Sequence, residues 1–187
     1  MNIETLYDLF VHELRGMYYV ETRLVDELPA LADNAMVDSL DDTTPTEFIE
    51  SVSDAFAEHA TETESQVDRL DDVFETLPFQ PDTREREVAA LDGLLREVEQ
   101  FDHIILNDAL RNPFYLDAAA KVEQLEIKGY ENLLQLADAL DLAGDATDPL
   151  EENLDEERDA LSTLEDLSTG EQMESILGDL GDEDPIV

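Results

Sequence analysis

Four amphipathic helical stripes in this chain carry glutamates, and one histidine, where a helical bundle requires leucine. Glu13 and Glu21 fall on or beside the first stripe, His59 and Glu62 on the second, Glu123 and Glu126 on the third, and Glu157 on the fourth. A buried carboxylate without a partner costs several kcal/mol, or takes up a proton and neutralises. The chain has 50 Asp and Glu and a whole surface on which to place them. Carboxylates that face inward from four helices at similar depth therefore indicate a cation between them. This pattern requires an all-α fold in which helices face one another around a shared interior.

The apolar period is helical nearly throughout, and no alternating strand pattern occurs. A first helix is predicted from about Ile3 to Ala32, with Leu6, Leu9/Phe10, Glu13, Met17, Val20/Glu21, Leu24 and Leu28 inward, and Pro29 kinking or ending it. A second opens at Thr44-Pro45-Thr46-Glu47, a capping-box pattern, and closes before Pro78. Residues 78–112 form a long connection with its own helix, about Arg84 to Leu110. A third bundle helix opens at Asn112-Pro113, runs to about Leu142 and stops at Gly144. The fourth opens at Asp148-Pro149-Leu150-Glu151 and reaches about Leu167. Two helical hairpins joined by one long crossover make the ferritin-like topology. The expected division is a four-helix bundle over 1–167, with 78–112 as crossover, and an acidic tail over 168–187. Met173, Ile176, Leu177 and Leu180 can form a docking helix in that tail, while Gly178, Gly181 and Pro185 favour a frayed end.

Composition narrows the function. A net charge of -40 repels itself, and only Lys121 and Lys128 are lysines. Acidic excess with few lysines suits concentrated salt, where the Debye length shrinks to ~3 Å at about 1 M. A halophilic cytoplasm is the expected location. Phosphate contacts need Lys or Arg clusters that this chain lacks, so nucleic acid is not an expected partner. The absence of cysteine removes disulfides, thiolate metal sites and cysteine nucleophiles. No apolar run is long enough for a membrane span, and Met1-Asn2-Ile3-Glu4 does not open a signal peptide.

In di-metal carboxylate bundles, two helices each give a Glu, and the other two each give a Glu and a His one turn away. Here helix one offers Glu13 or Glu21, helix two His59, Glu62 and Gln66, helix three Glu123 and Glu126, and helix four Glu157. Taken singly, any of these glutamates also reads as a boundary residue, and His59 as a hydrogen-bonded core histidine. Tyr18, Tyr19 and Tyr130 read as packing residues, and His12 and His103 as surface ones.

The stretches Leu9-Phe10-Val11-His12-Glu13-Leu14-Arg15, Tyr18-Tyr19-Val20-Glu21 and Leu28-Pro29 resemble the opening of the YciE/YciF-type ferritin-like family. Glu58-His59-Ala60-Thr61-Glu62, continuing to Leu70, is similar to that family's second-helix motif. Lys121-Val122-Glu123-Gln124-Leu125-Glu126-Ile127-Lys128-Gly129-Tyr130 resembles the third, and Leu154-Asp155-Glu156-Glu157 the last. The resemblance spans roughly residues 3–167, in order. It implies a ferritin-like bundle, a homodimer, an association with stress responses, and a dinuclear iron or manganese site. By position it assigns Glu13, Glu21, His59, Glu62, Glu123, Glu126 and Glu157 as ligands. Gln66 and Gln124 stand where related sequences often carry His, and Leu161 where an acidic residue is common. With one histidine left, the ligand set is oxygen-rich, which suits manganese, magnesium or calcium better than a histidine-rich iron site does. Two functions fit: a redox metal protein that oxidises Fe(II) with oxygen or peroxide, with Tyr18 or Tyr130 bonded to a ligand, and a non-catalytic bundle with structural metal or none.

Overall fold

Thr5 opens the first helix, α1 (Leu6–Ala35), through a reciprocal box. Its hydroxyl accepts from the Asp8 N–H at 3.1 Å, and Asp8 Oδ2 accepts from the Thr5 N–H at 2.9 Å. The structure, a computed structural model, describes residues 2–37, 45–79 and 81–181. α1 continues through Pro29 to Ala35, past the expected end. Pro29 is exposed, so the carbonyl that loses its partner one turn earlier can turn to water. The second helix, α2 (Thr46–Thr76), starts behind Pro45; the expected Thr44 cap lies outside the described residues.

The crossover helix, α3 (Ala89–Ile104), is shorter than predicted. The preceding residues bond to α1. The Arg86 N–H donates to Arg15 O at 3.0 Å, Arg86 Nε to His12 O at 2.8 Å, and Arg15 Nη2 to Thr83 Oγ1 at 2.6 Å. Gly16 permits this approach, because a Cβ there would run into the Arg86 guanidinium.

A single 3₁₀ turn (Asp108–Leu110), capped by Asn107, leads into α4 (Arg111–Ala139). Asn112 is therefore not a cap. It is buried in the first turn of α4 and donates to Ala35 O at 3.2 Å, joining the end of α1 to the start of α4. Pro113 falls in that same turn, where its missing N–H costs no helix bond. α4 closes with Asp141 in the left-handed region (φ 53°). The Asp141 N–H reaches Asp138 O at 3.0 Å and the Leu142 N–H reaches Ala137 O at 3.1 Å, the Schellman arrangement. Gly144, expected to stop this helix, begins the next, α5 (Gly144–Thr169), four residues before the predicted Asp148 cap. α6 (Glu171–Gly181) follows and buries Met173 and Ile176.

α1 pairs with α2 and α4 with α5; α2 lies against α5 and α1 against α4, while the diagonals barely touch. This is the all-α, ferritin-like bundle. Among the described residues there is no strand, and no helix is long and apolar enough to cross a membrane.

The core falls into two apolar clusters. One contains Phe10, Leu14, Leu70, Phe74, Leu133 and Leu150, with Leu91 of α3. The other contains Ala35, Phe48, Val52, Phe56, Tyr115 and Leu164, with Met173 and Ile176 of α6. Along α2, α4 and α5 a polar stretch separates the two: His59 to Gln66, Glu123 to Glu126, and Glu157. The expected first-stripe residue Leu6 is 40% exposed, and inward packing starts at Phe10.

Candidate metal centre

Each bundle helix brings polar side chains to this middle layer, α1 a single one. His59, Thr63 and Gln66 of α2 are three or four residues apart and share a face; so do Glu123 and Glu126 of α4, and Asn153 and Glu157 of α5. Glu21 of α1, Glu126 and Glu157 are fully buried, and Glu123 nearly so.

One ligand atom from each of His59, Glu123, Glu126 and Glu157 lies within 4.8 Å of all the others. His59 Nε2 is 3.2 Å from Glu123 Oε1 and 3.8 Å from Glu157 Oε2. Glu21 completes the layer from α1. Its carboxyl accepts a short hydrogen bond from the Tyr130 hydroxyl and lies beside Glu126. Glu62 stands at the margin, half-exposed, with Oε2 3.7 Å from His59 Nδ1.

Glu13 does not join them. It precedes Glu21 by two turns, which rotates it about 80° around the helix. It faces the crossover, 3.5 Å from Arg86 Nη2. Among the substituted positions, Gln66 is buried in the layer, Gln124 points outward and Leu161 is half-buried.

The electrostatics are those of a compressed set of acids. Burial, and then Glu157, push Glu21 up to about 8, with the Tyr130 hydroxyl pulling the other way. Burial likewise pushes Glu123 up to about 8, against a hydrogen bond to Glu157 and with Glu21 and Glu62 adding repulsion. Burial and the neighbouring carboxylates hold Glu126 and Glu157 well above the usual carboxylate range. Burial opposes protonation of His59, but Glu62, Glu157 and Glu21 outweigh it and its pKa is raised. Tyr130, buried beside Glu21, is held well above its ordinary value and remains a donor.

A second tier fixes this arrangement. Asn153 Nδ2 donates to the Tyr130 hydroxyl at 2.8 Å, and Arg69 Nε donates to Asn153 Oδ1 at 2.5 Å. Arg69 also pairs with Glu152 and Glu156 at the surface. A chain of bonds thus runs Arg69–Asn153–Tyr130–Glu21. Asn153 and Arg69 escaped the sequence reading, although Asn153 lies one turn before Glu157, the spacing that places both on one face. Tyr18 takes no such part; it packs edge-on against Phe74 at 5.6 Å.

The donor set fits a hard or borderline cation. Both oxygens of Glu126 and of Glu157, one each of Glu21 and Glu123, and both His59 nitrogens are buried without a hydrogen bond of ordinary geometry. So many orphaned acceptors are tolerated only with protons or cations among them. A recess of about 170 Å³ between α2 and α5, lined by Glu58, Glu62 and Asp159, leads to His59 and Glu123.

Comparison with known proteins agrees with this architecture. Residues 5–176 match the sequence profile of the family described as domain of unknown function DUF892. The chain is 30% identical over 168 residues to Protein YciF of Escherichia coli (strain K12), covering 90% of this chain and 93% of that protein. The crystal structure of the E. coli stress protein YciF superposes with a TM-score of 0.72 at 26% identity, over 97% of this chain and 100% of that one. YcfI from Rhodopseudomonas palustris superposes with a TM-score of 0.74 at 29% identity, over 88% of this chain and 95% of that one.

Proposed function

Because the chain belongs to the DUF892 family and is a homologue of YciF, we propose that it is a ferritin-like stress protein of the cytoplasm whose bundle centre binds a pair of iron or manganese ions. The observation that supports this most is the gathering of His59, Glu123, Glu126 and Glu157, from three different helices, with ligand atoms within 4.8 Å of one another. Glu21, Glu123, Glu126 and Glu157 would supply the oxygen ligands and His59 the nitrogen. Carboxylates can bridge two cations ~3.5–4 Å apart. Glu62, with Glu58 and Asp159, would draw cations into the recess between α2 and α5. Glu13, engaged with Arg86, has no part in this reading. When bound, iron of this kind supplies one-electron chemistry toward dioxygen or peroxide, and Fe(II) is then also the substrate. The chain's own work is to hold the carboxylates close, keep Tyr130 as donor to Glu21, and exclude bulk water.

Metal analysis of protein purified in concentrated salt, before and after anaerobic Fe(II) loading, tests this together with an air-oxidation time course. About two ions per chain and fast oxidation, both lost in Glu126→Ala, are expected. Metal content equal to wild type in Glu126→Ala would remove the site.

The single histidine favours a second reading, in which an oxygen-rich site holds a structural cation. Metal that raises the melting temperature with no oxidation of Fe(II) would select it.

A further inference from the structure

A second, chemically different opening reaches His59 and Glu123 from the far side. It is a cavity of about 210 Å³ between α1, α3 and α4. Leu28 and Leu31 of α1, Leu95 and Val98 of α3, and Ala118 and Ala119 of α4 form its walls. On α4 the two alanines leave room that a larger side chain would fill. His59 and Glu123 are the residues this cavity shares with the acidic recess. The outer rim holds Asn34, which donates to Asp102 at 3.4 Å and so links α1 to α3 across the mouth. Asp102 is further held by Tyr115 and Arg111.

We propose that this cavity is a binding site for a small, neutral, apolar organic molecule of single-ring size, whose inner end lies against His59 and Glu123. An apolar cavity of ~150 Å³ takes up benzene; this one, open at its mouth, has room for a ring with a short alkyl arm. Charge sets its selectivity. Glu27, Glu99 and Asp102 are the ionisable lining residues toward the mouth, and all are acidic. An anionic ligand is repelled there, whereas a neutral one of equal size is not. Binding of this kind needs no metal, so it stands or falls separately from the metal reading.

The test uses the full chain stripped of metal with a chelator, titrated with ethylbenzene, and with benzoate as the anionic counterpart. With three histidines in the chain, the imidazole NMR signals are a direct reporter of position. Ethylbenzene is expected to shift the His59 signals saturably and leave His12 and His103 in place; benzoate should do neither. Ala118→Leu, which fills the cavity, should weaken binding at least tenfold, and Leu95→Ala should turn the preference toward butylbenzene. If Ala118→Leu fails to fold, Val98→Phe narrows the same space from α3. The proposal is overturned by no saturable shift up to the solubility limit, by equal shifts at all three histidines, by benzoate binding as well as ethylbenzene, or by undiminished binding in a folded cavity-filling variant.

Discussion

Tyr130 keeps its proton because burial and the Glu21 carboxylate both oppose its loss, and this makes it a fixed donor to Glu21. Tyr130→Phe removes that donor and leaves Asn153 Nδ2 with only its longer bond, to Gln66 O at 3.4 Å. Metal affinity is expected to fall about 10–100-fold, as for other residues that orient ligands, with the ligand carboxylates themselves intact; titration with Mn(II) measures it. The acids of the layer also predict a pH dependence. Glu21 and Glu123 titrate near 8 in the folded chain, against 4.5 for the ordinary group. A folded value raised above the unfolded one leaves stability fully present below the unfolded pKa and erodes it as pH rises through the folded pKa. Metal-free protein should therefore melt at a lower temperature at about pH 8 than at about pH 5. Saturating Mn(II) should narrow that difference, because the cation takes the place of the protons. Glu126→Gln replaces a carboxyl that burial keeps neutral with a neutral isostere. It should raise the melting temperature of the metal-free protein at pH 8 while abolishing metal binding. A lower melting temperature in this variant would contradict the account of the layer.

At the scale of helices, Glu21, Glu123, Glu126 and Glu157 were legible because each interrupts a leucine stripe at helical spacing, but the same spacing also drew in Glu13, which faces Arg86, and Glu62, which is half-exposed. The same spacing located the four bundle helices and the crossover. The ends were less legible, for local reasons. Asn112-Pro113 has the form of a cap, but Asn112 is used across the bundle, on Ala35. Gly144 has the form of a stop, but Asp141 takes the left-handed position and Gly144 starts α5. Arg69 was hidden because its role depends on packing of α2 against α5, which no local pattern displays. The crossover gives a direct test. Ala is the better helix former by about 1 kcal/mol, so Gly16→Ala would stabilise α1 if the position were open. Because its Cβ meets the Arg86 guanidinium, the change should instead displace that side chain and cost its bond to His12 O, read as a stabilisation smaller than the helix propensity alone would give. α6 gives another. Ile176→Asp puts a charge into the second apolar cluster and should detach α6 at a cost of about 3 kcal/mol or more, measured by denaturant unfolding in high salt.

For the whole molecule, the net charge of -40 predicts that the unfolding midpoint rises steeply from 0.1 M to 3 M KCl as repulsion is screened. A flat response would refute a halophilic setting. We propose that the homodimer implied by the family resemblance would form at the crossover, where Ile104 and Leu106 are 73% and 100% exposed. Leu106→Lys is expected to shift the sedimentation coefficient from dimer to monomer. The chain contains ten cations in all. Arg15 and Arg86 bind the crossover to α1, Arg84 binds it to Asp71 of α2, and Arg111 fastens its far end to Asp102 and Asp108. Lys121 or Lys128 can be exchanged with little loss, since both sit in exposed pairs within one helix. Replacing any of these four arginines would instead remove a bond that holds the crossover to the bundle.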